Sequence, residues 1–475
     1  MTRCTQVEAG FLALTVSLAA GACGSSGNDA PAASASEAGA EFDAGVDSPP
    51  KGECVDTPTA ANCLNDENTA LFVAQTGSDA PLKDGTRANP YKTINSALER
   101  ITSKKRRIYV CDGTYSEDIT LTAMHSGVSI VGGVDCAWKP DPAIKPVIGG
   151  TANPLKFDGV TRVVIEDVAV VARDAVKGSS IAALVIGSEV SFKRVRLSAG
   201  SGANGGVGVR ADFALPTDLN GNDGIAGGGE KLVACPGGLQ TVGGKGGASG
   251  LDGSNGSPGP DNRGTLGQCA SSSPTGGTKG AVGISPPAAT GASTLGELTA
   301  QGWKPSAGHD GSNGGPGQGG GGGAGLGGGT GGGGGAGGCG GAGGGGGEAG
   351  GASIALVTFQ SSIDVSESSL RAKDAGAGGA GAAGQIGTTA GGFGGGKASG
   401  TTACNGAAGG AGGAGAAGGG GAGGVSAGIL IRGSKPTLDD ATSKTIIFGM
   451  KGAAGAAGSQ QAGIDGTALA VVELP

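Results

Sequence analysis

Glycine recurs at every third position in several separate runs. Gly406, Gly409, Gly412, Gly415, Gly418, Gly421 and Gly424 form one, Gly319 to Gly346 in steps of three a second, and Gly244 to Gly259 a third. Shorter runs are Gly202–Gly208, Gly221–Gly227, Gly378–Gly387 and Gly452–Gly458. Three residues is the period of an extended threefold helix, not of an α-helix or a strand. An edge made only of glycine lets another backbone approach it. The spacing therefore predicts packed threefold helices, with disorder as the rival outcome if close contacts do not offset the entropy of ordering so many glycines. Collagen is the rival template for the period, but it needs three chains and abundant proline, whereas these runs are short, interrupted and mostly Gly and Ala, which favours packing within one chain.

Of 475 residues 109 are Gly, yet 37% are hydrophobic, and the apolar residues are concentrated. Residues 67–200, 352–372 and 425–448 have ordinary composition, enough for one core from which Gly-rich segments depart. The net charge of -7 leaves no basic face for nucleic acid. The one basic run, Lys104–Arg107, reads as the solvated end of a helix. Only two His are present and no Cys-x-x-Cys, so no metal, redox centre or cofactor is expected.

At the N-terminus Arg3 precedes the apolar stretch Phe11–Ala20, too short to span a bilayer. The following Leu18-Ala19-Ala20-Gly21-Ala22-Cys23 resembles a bacterial lipoprotein signal. That resemblance implies removal of 1–22, lipid on Cys23, export, and a membrane partner through the anchor at the outer membrane or cell surface. Ordinary secretion with an unmodified Cys23 is the alternative. Residues 23–66 then form a flexible tether. The remaining Cys54, Cys63, Cys111, Cys136, Cys235, Cys269, Cys339 and Cys404 are an even set, as disulfides in an exported chain require. Sequence proximity favours Cys54–Cys63, Cys111–Cys136, Cys235–Cys269 and Cys339–Cys404.

Short strands punctuated by Gly, Asp and Ser predict an all-β fold, with a helix only at Thr93–Ile101, where Ile94, Ala97, Leu98 and Ile101 have helical spacing. An internal repeat favours a solenoid over a sandwich. Leu184-Val185-Ile186, Val190-Ser191-Phe192 and Leu197-Ser198-Ala199 match Leu356-Val357-Thr358, Ile363-Asp364-Val365 and Leu370-Arg371-Ala372, with one inserted residue. Ile429–Ile431 with Thr445–Ile447 is a looser third copy. Each copy follows one Gly run and precedes another, so the runs leave from one corner of stacked coils. The expected segments are 67–200, 352–375 and 425–475 as coils, with 201–351 and 376–424 as Gly-rich insertions.

Asp84-Gly85-Thr86, Asn89-Pro90-Tyr91-Lys92-Thr93-Ile94, Ala97-Leu98, Ile108-Tyr109-Val110 and Gly113-Thr114-Tyr115-Ser116-Glu117 resemble the opening of pectin-lyase-like right-handed parallel β-helices. The resemblance implies that fold, with the short helix capping the coil stack. The Gly-rich part resembles glycine-repeat surface proteins of the PGRS kind and the polyglycine II bundles of some phage adhesin tips.

Pectin-lyase-like enzymes use grouped acids, and by type Asp135, Glu166, Asp167, Asp364, Glu367, Asp439 and Asp440 qualify. They form no catalytic motif, and Trp138 and Trp303 are the only Trp residues for stacking a sugar. Asp218–Gly224 approaches a calcium loop, but its Gly and the following Glu230 fall one position late. Asp252-Gly253-Ser254-Asn255-Gly256 recurs as Asp310-Gly311-Ser312-Asn313-Gly314, which reads as two equivalent threefold strands. No catalytic residue is assigned. The sequence points to a non-enzymatic surface protein that meets a polysaccharide or another cell surface, with a polysaccharide-active lyase or hydrolase as the alternative.

Overall fold

β-Branched and aromatic residues, cut every few residues by Gly, Asp or Ser, form short strands, some burying alternate residues, as at Ile119–Thr122, and some buried on both faces, as at Ser353–Phe359. The computed structural model describes residue 54 and residues 57–270, 276–456 and 461–475. The expected signal 1–22, Cys23 and most of the tether lie outside the described residues. Three sheets carry the fold, and every pairing in them is parallel. The first joins Ala70–Val73, Arg107–Val110, Ser129–Val131, Val163–Glu166, Glu189–Lys193, Ser362–Ser366 and Thr437–Leu438. The second joins Ile119–Thr122, Leu155–Asp158, Ser180–Ile186, Ser353–Phe359, Ser426–Arg432 and Ala468–Glu473. The third joins Thr114–Ser116, Val147–Gly149, Ala169–Val171, Arg196–Ser198 and Ser369–Arg371. The chain visits the sheets in rotation, which is the arrangement of a parallel β-helix. Ile130, Ile165, Phe192 and Val365 from the first sheet meet Phe157, Val185 and Leu356 from the second and Ile148, Val170 and Leu197 from the third in one buried core.

The ends of the stack differ from expectation in two places. The helix is only Ile94–Leu98, and Arg107 begins a strand. Arg106 and Arg107 bond the carbonyls of Ser126 and Cys54, so the basic run is not a solvated helix end. Folded structure also begins before residue 67. Cys63 is bonded to Cys54, and Leu64 is buried with Phe72, Tyr109 and Trp138 against the outside of the first sheet.

The internal repeat is exact in register. Ser180 pairs with Ser353, Val190 with Ile363 and Arg196 with Ser369, a constant step of 173 residues. No residue is inserted, because Leu184 stands beside Val357 rather than Leu356. Thr445–Ile447 likewise continues the third sheet, through Arg371 beside Ile447, while Thr437–Leu438 continues the first.

The Gly-rich segments leave after the third sheet and return at the second. There they are ordered as an extended bundle with a three-residue hydrogen-bond period. Gly332, Gly335, Gly338, Gly341, Gly344, Gly347 and Gly350 donate to the carbonyls of Cys404, Ala407, Gly410, Gly413, Ala416, Gly419 and Ala422 at 2.8–3.0 Å. Gly415, Gly418, Gly421 and Gly424 donate in the other direction, to Gln385, Ala382, Gly379 and Gly376. Outgoing runs extend the stacking of the third sheet, with Gly205 on Ala377 and Gly378 on Ala453. Incoming runs 330–351 and 404–424 form a layer beneath them, and 280–292 with 306–325 a layer beneath that. A left-handed pair, Gly327 (φ 59°) and Gly328 (φ 79°), turns the chain from the deeper layer into run 330–351.

Glycine stands where a neighbouring carbonyl comes closest. In run 330–351 a Cβ on Gly331, Gly334, Gly337, Gly340, Gly343 or Gly346 would fall 1.9–2.1 Å from a carbonyl oxygen of 308–323. On a second edge, Gly332, Gly335, Gly341, Gly344 and Gly347 would strike carbonyls of 379–395 at 1.9–2.1 Å. The third edge admits Ala336 and Cys339, which pack on Leu219, Val233 and Cys235. Run 404–424 shows the same rule within one edge. Ala411, Ala414 and Ala417 are half-buried at the surface. Gly420 and Gly423 follow where Gly455 and Gly452 approach to within 2.1 Å of the Cβ position.

The two far disulfides follow this packing rather than sequence proximity. Cys235 bonds Cys339, and Cys269 bonds Cys404, in place of the expected Cys235–Cys269 and Cys339–Cys404. Cys235 precedes the turn of the hairpin Lys231–Gly243, laid over the open edge of Cys339. Cys111–Cys136 and Cys54–Cys63 are bonded as proximity suggested.

Buried serines close the mouth of each insertion. Ser180, Ser353 and Ser426 begin adjacent strands of the second sheet and are fully buried. Ser353 Oγ donates to Gly200 O (2.7 Å) and accepts from Lys373 N (2.8 Å). Ser426 Oγ donates to Lys373 O and accepts from Gly449 N, and Ser180 Oγ accepts from Gly200 N. Each outgoing chain is thus stitched to the strands between which it leaves.

Two stability measurements check this account. Gly341→Ala is expected to cost about 2 kcal/mol or more by overpacking, whereas Ala417→Ser stays within about 0.5 kcal/mol. Ser353→Ala strands the buried carbonyl of Gly200 and the part-buried N–H of Lys373 and is expected to lower stability by about 2 kcal/mol. Equal denaturation midpoints for Gly341→Ala and Ala417→Ser would contradict the edge rule.

Candidate functional site

The densest charged cluster sits at the corner between the first and third sheets. Three coils turn there through left-handed residues at matching positions, Asp167 (φ 51°), Arg194 (φ 49°) and Glu367 (φ 49°). This conformation costs a non-glycine residue about 1 kcal/mol, so the corner is held by its contacts. Glu166 closes strand Val163–Glu166 and Arg194 follows strand Glu189–Lys193, one coil on. The guanidinium therefore runs back over both acids. Arg194 Nε lies 3.1 Å from Asp167 Oδ1, Nη2 lies 2.8 Å from Asp167 Oδ2, and Nη2 also pairs with Glu166. Lys145 Nζ adds a contact to Asp167 Oδ1 at 3.1 Å and one to the carbonyl of Arg194 at 2.5 Å. Glu166 and Asp167 are 2% and 3% exposed, so neither carboxylate is presented to a ligand. Burial pushes the Glu166 carboxyl up, partly offset by Arg194. Hydrogen bonding to Asp167 raises the Arg194 guanidinium further above its usual range. The two acids are neutralised by two cations, an arrangement that locks a corner.

The other acids singled out are dispersed. Asp135 accepts from the backbone of Ala137 and Lys139 in a turn. Asp439 caps the short helix Asp440–Ser443 through Thr442 N and also accepts from Glu367 N. Asp364 is exposed on the first sheet, 3.4 Å from Ser191 Oγ. The calcium-like stretch is spent on backbone and ion-pair contacts. Asp218 pairs with Lys231, Asn220 accepts from Phe393 N, and Asp223 accepts from Gly396 N. Among the described residues no three His, Cys, Asp or Glu side chains converge as metal ligands.

The aromatic residues are structural too. Trp138 crosses Phe72 edge-on at 4.8 Å and donates to Arg87 O, while Trp303 packs on the outside of the second sheet near Leu298. An open cleft of about 430 Å³ is lined by Leu98, Ile101, Arg106, Met124 and His125. His125 Nδ1 accepts from Thr122 N at 2.9 Å, and burial pushes the imidazole down. That ring nitrogen is committed to the turn it caps.

Sequence reasoning missed the role of the polar residues that serve as the bundle's acceptors. The repeated Asp-Gly-Ser-Asn-Gly is one case. Asp310 Oδ1 accepts from Gly346 N and Asn313 Oδ1 from Gly343 N, three residues apart on one edge. Asp252 and Asn255 accept from Leu266 N and from Asn262 N with Arg263 N. The signal was the same three-residue spacing, carried by Asp and Asn.

No family model matches this chain, and no curated protein matches it. Among solved structures, a rhamnogalacturonan lyase aligns over 29% of this chain and 39% of that one, at 15% identity and a TM-score of 0.22. A likeness that slight carries no argument about activity, and the β-helix stands on its own strand pairing.

Removing Arg194 tests the cluster. Arg194→Leu leaves two buried carboxylates with one cation and is expected to cost about 3 kcal/mol at neutral pH. A buried carboxyl with a raised pKa binds its proton more readily folded than unfolded. The deficit should therefore shrink as pH falls toward and below the ordinary 4.5 of Glu166. A deficit that is constant with pH would show that Glu166 does not titrate in the folded state.

Proposed function

We propose that this protein is a non-enzymatic exported surface lipoprotein with a structural or adhesive role. One observation carries the reading. Glu166 and Asp167 are buried against Arg194 and Lys145, Asp135 and Asp439 accept from backbone N–H groups, and the exposed Asp364, Glu367 and Asp440 form no enclosed site, while the interior of the glycine bundle is mostly backbone, glycine and alanine. Such a body offers length and stiffness rather than a reaction centre. In this reading the coil is right-handed and helix Ile94–Leu98 caps its first turn, supported by the burial of Ile94, Ala97 and Leu98 in the core. The bundle is of the polyglycine II kind, in the manner of PGRS-like surface proteins. Its anchor is lipid on Cys23, its location the outer membrane or cell surface, and its partner a polysaccharide or another cell surface.

Palmitate labelling of cells producing the full chain tests the anchor, and Cys23→Ser is expected to abolish it. Purified protein is expected to bind cells or matrix saturably and to release no reducing ends or unsaturated uronates from acidic or neutral polysaccharides. The corner cluster is what favours the enzymatic alternative. Turnover abolished by Glu166→Gln would establish that alternative and overturn the present reading.

A further inference from the structure

All five Asn-Gly dipeptides of the chain lie in the glycine bundle, at Asn204, Asn220, Asn255, Asn313 and Asn405. In each, the Asn Oδ1 accepts a neighbouring backbone N–H. The donors are Ala377, Phe393, Asn262, Gly343 and Lys397, at 2.8–3.0 Å. In each, the following glycine N–H is also engaged. Gly205, Gly221, Gly314 and Gly406 donate to Ala377, Phe393, Gly341 and Gly395, and Gly256 to Asn262 Oδ1, at 2.8–2.9 Å. In the parallel pairs the grip closes on both backbone groups of one residue, as at Ala377 and Phe393. Asp223-Gly224, Asp252-Gly253, Asp310-Gly311 and Asp465-Gly466 repeat the pattern.

Asn-Gly is chemically labile when the chain is free. The glycine nitrogen attacks Cγ of Asn, the Cγ–Nδ2 bond breaks, and the amide nitrogen leaves as ammonia, taking the glycine N–H proton. Water then opens the succinimide to Asp or to isoaspartate, whose backbone is one carbon longer. In the bundle the attacking nitrogen is tied through its hydrogen to a neighbour, the side chain is tied through Oδ1, and both bonds must break first. We propose that these five dipeptides are modification sites gated by folding: silent while clamped, and converted once a run leaves the bundle. Where the product is isoaspartate, conversion is also irreversible in effect. Its extra backbone carbon displaces each later glycine from the edge that must stay bare, so that run does not pack again, whereas an Asp product keeps the acceptor oxygen and the register, as at Asp223 and Asp310.

The test incubates the full chain in mildly alkaline buffer, folded and in urea, and maps peptides for the mass gain of deamidation. All five sites should convert in urea and remain unchanged in the folded chain. Lys397→Pro removes only the N–H that holds Asn405 Oδ1, at an exposed position where proline suits an extended run. It should speed conversion at Asn405 about tenfold, the loss of roughly one hydrogen bond, while the other four sites stay silent and so report a folded bundle. Ala377→Pro should do the same for Asn204, near the β-helix. Conversion of any of the five in the folded wild-type chain at the urea rate would overturn the proposal. So would silence of both released sites in folded variants.

Discussion

A buried backbone N–H must find an oxygen, and in this protein that requirement shapes most of the chain. In the β-helix the partner is the next coil, and side chains fill the space between sheets. In the bundle there are few side chains to bury, so stability comes mainly from hydrogen bonds and backbone contact, with two disulfides and the small clusters around them. That works only if runs approach until carbonyl oxygens occupy the sites where Cβ atoms would stand, as they do along Gly331–Gly346. The entropy lost in ordering glycine is opposed chiefly by these contacts.

The β-helix supplies what an isolated glycine bundle lacks, a fixed starting register. Its coils set the spacing of the outgoing runs, and the serines at 180, 353 and 426 hold those runs at the point of departure. The 173-residue step that begins in the sheets is still present at Asn204 and Asp223. Sheet and bundle are one stack whose side chains change along its length. Where a run lacks a neighbour to accept its hydrogen bonds, Asn or Asp supplies the oxygen. Where a run faces side chains or solvent rather than a close neighbouring backbone, alanine or cysteine returns.

Much of this was legible from the residues. Three-residue spacing announced packed runs, and the Leu184–Ala199 repeat announced coils with insertions at one corner. Local rules failed where distant segments meet. Proximity paired Cys235 with Cys269, but the packing that joins Cys235 to Cys339 is made by runs a hundred residues apart. The hairpins Lys231–Gly243 and Gly296–Pro305 were hidden inside the segment read only as a Gly-rich insertion. The left-handed corners at Asp167, Arg194 and Glu367 carry no glycine, so nothing local marked them. The paired charges of Glu166 and Arg194 became visible only when one coil was laid on the next. The acids named as chemical candidates were identified by type, and type does not reveal that Glu166 and Asp167 are already paired with Arg194 and Lys145.

The edge rule gives the bundle something close to a reading frame. Glycine is demanded at every third residue of an inner run on each covered edge, and run 330–351 has two such edges. A single-residue insertion or deletion in that run would rotate every later residue by one edge and send Ala336, Cys339 or Ala342 against a neighbouring carbonyl. Changes in units of three keep the edges in place, and changes at a turn such as Gly327–Gly328 alter the reach of two antiparallel runs together. Length in such an architecture varies in steps, and a lineage of these proteins would lengthen or shorten its bundle by triplets.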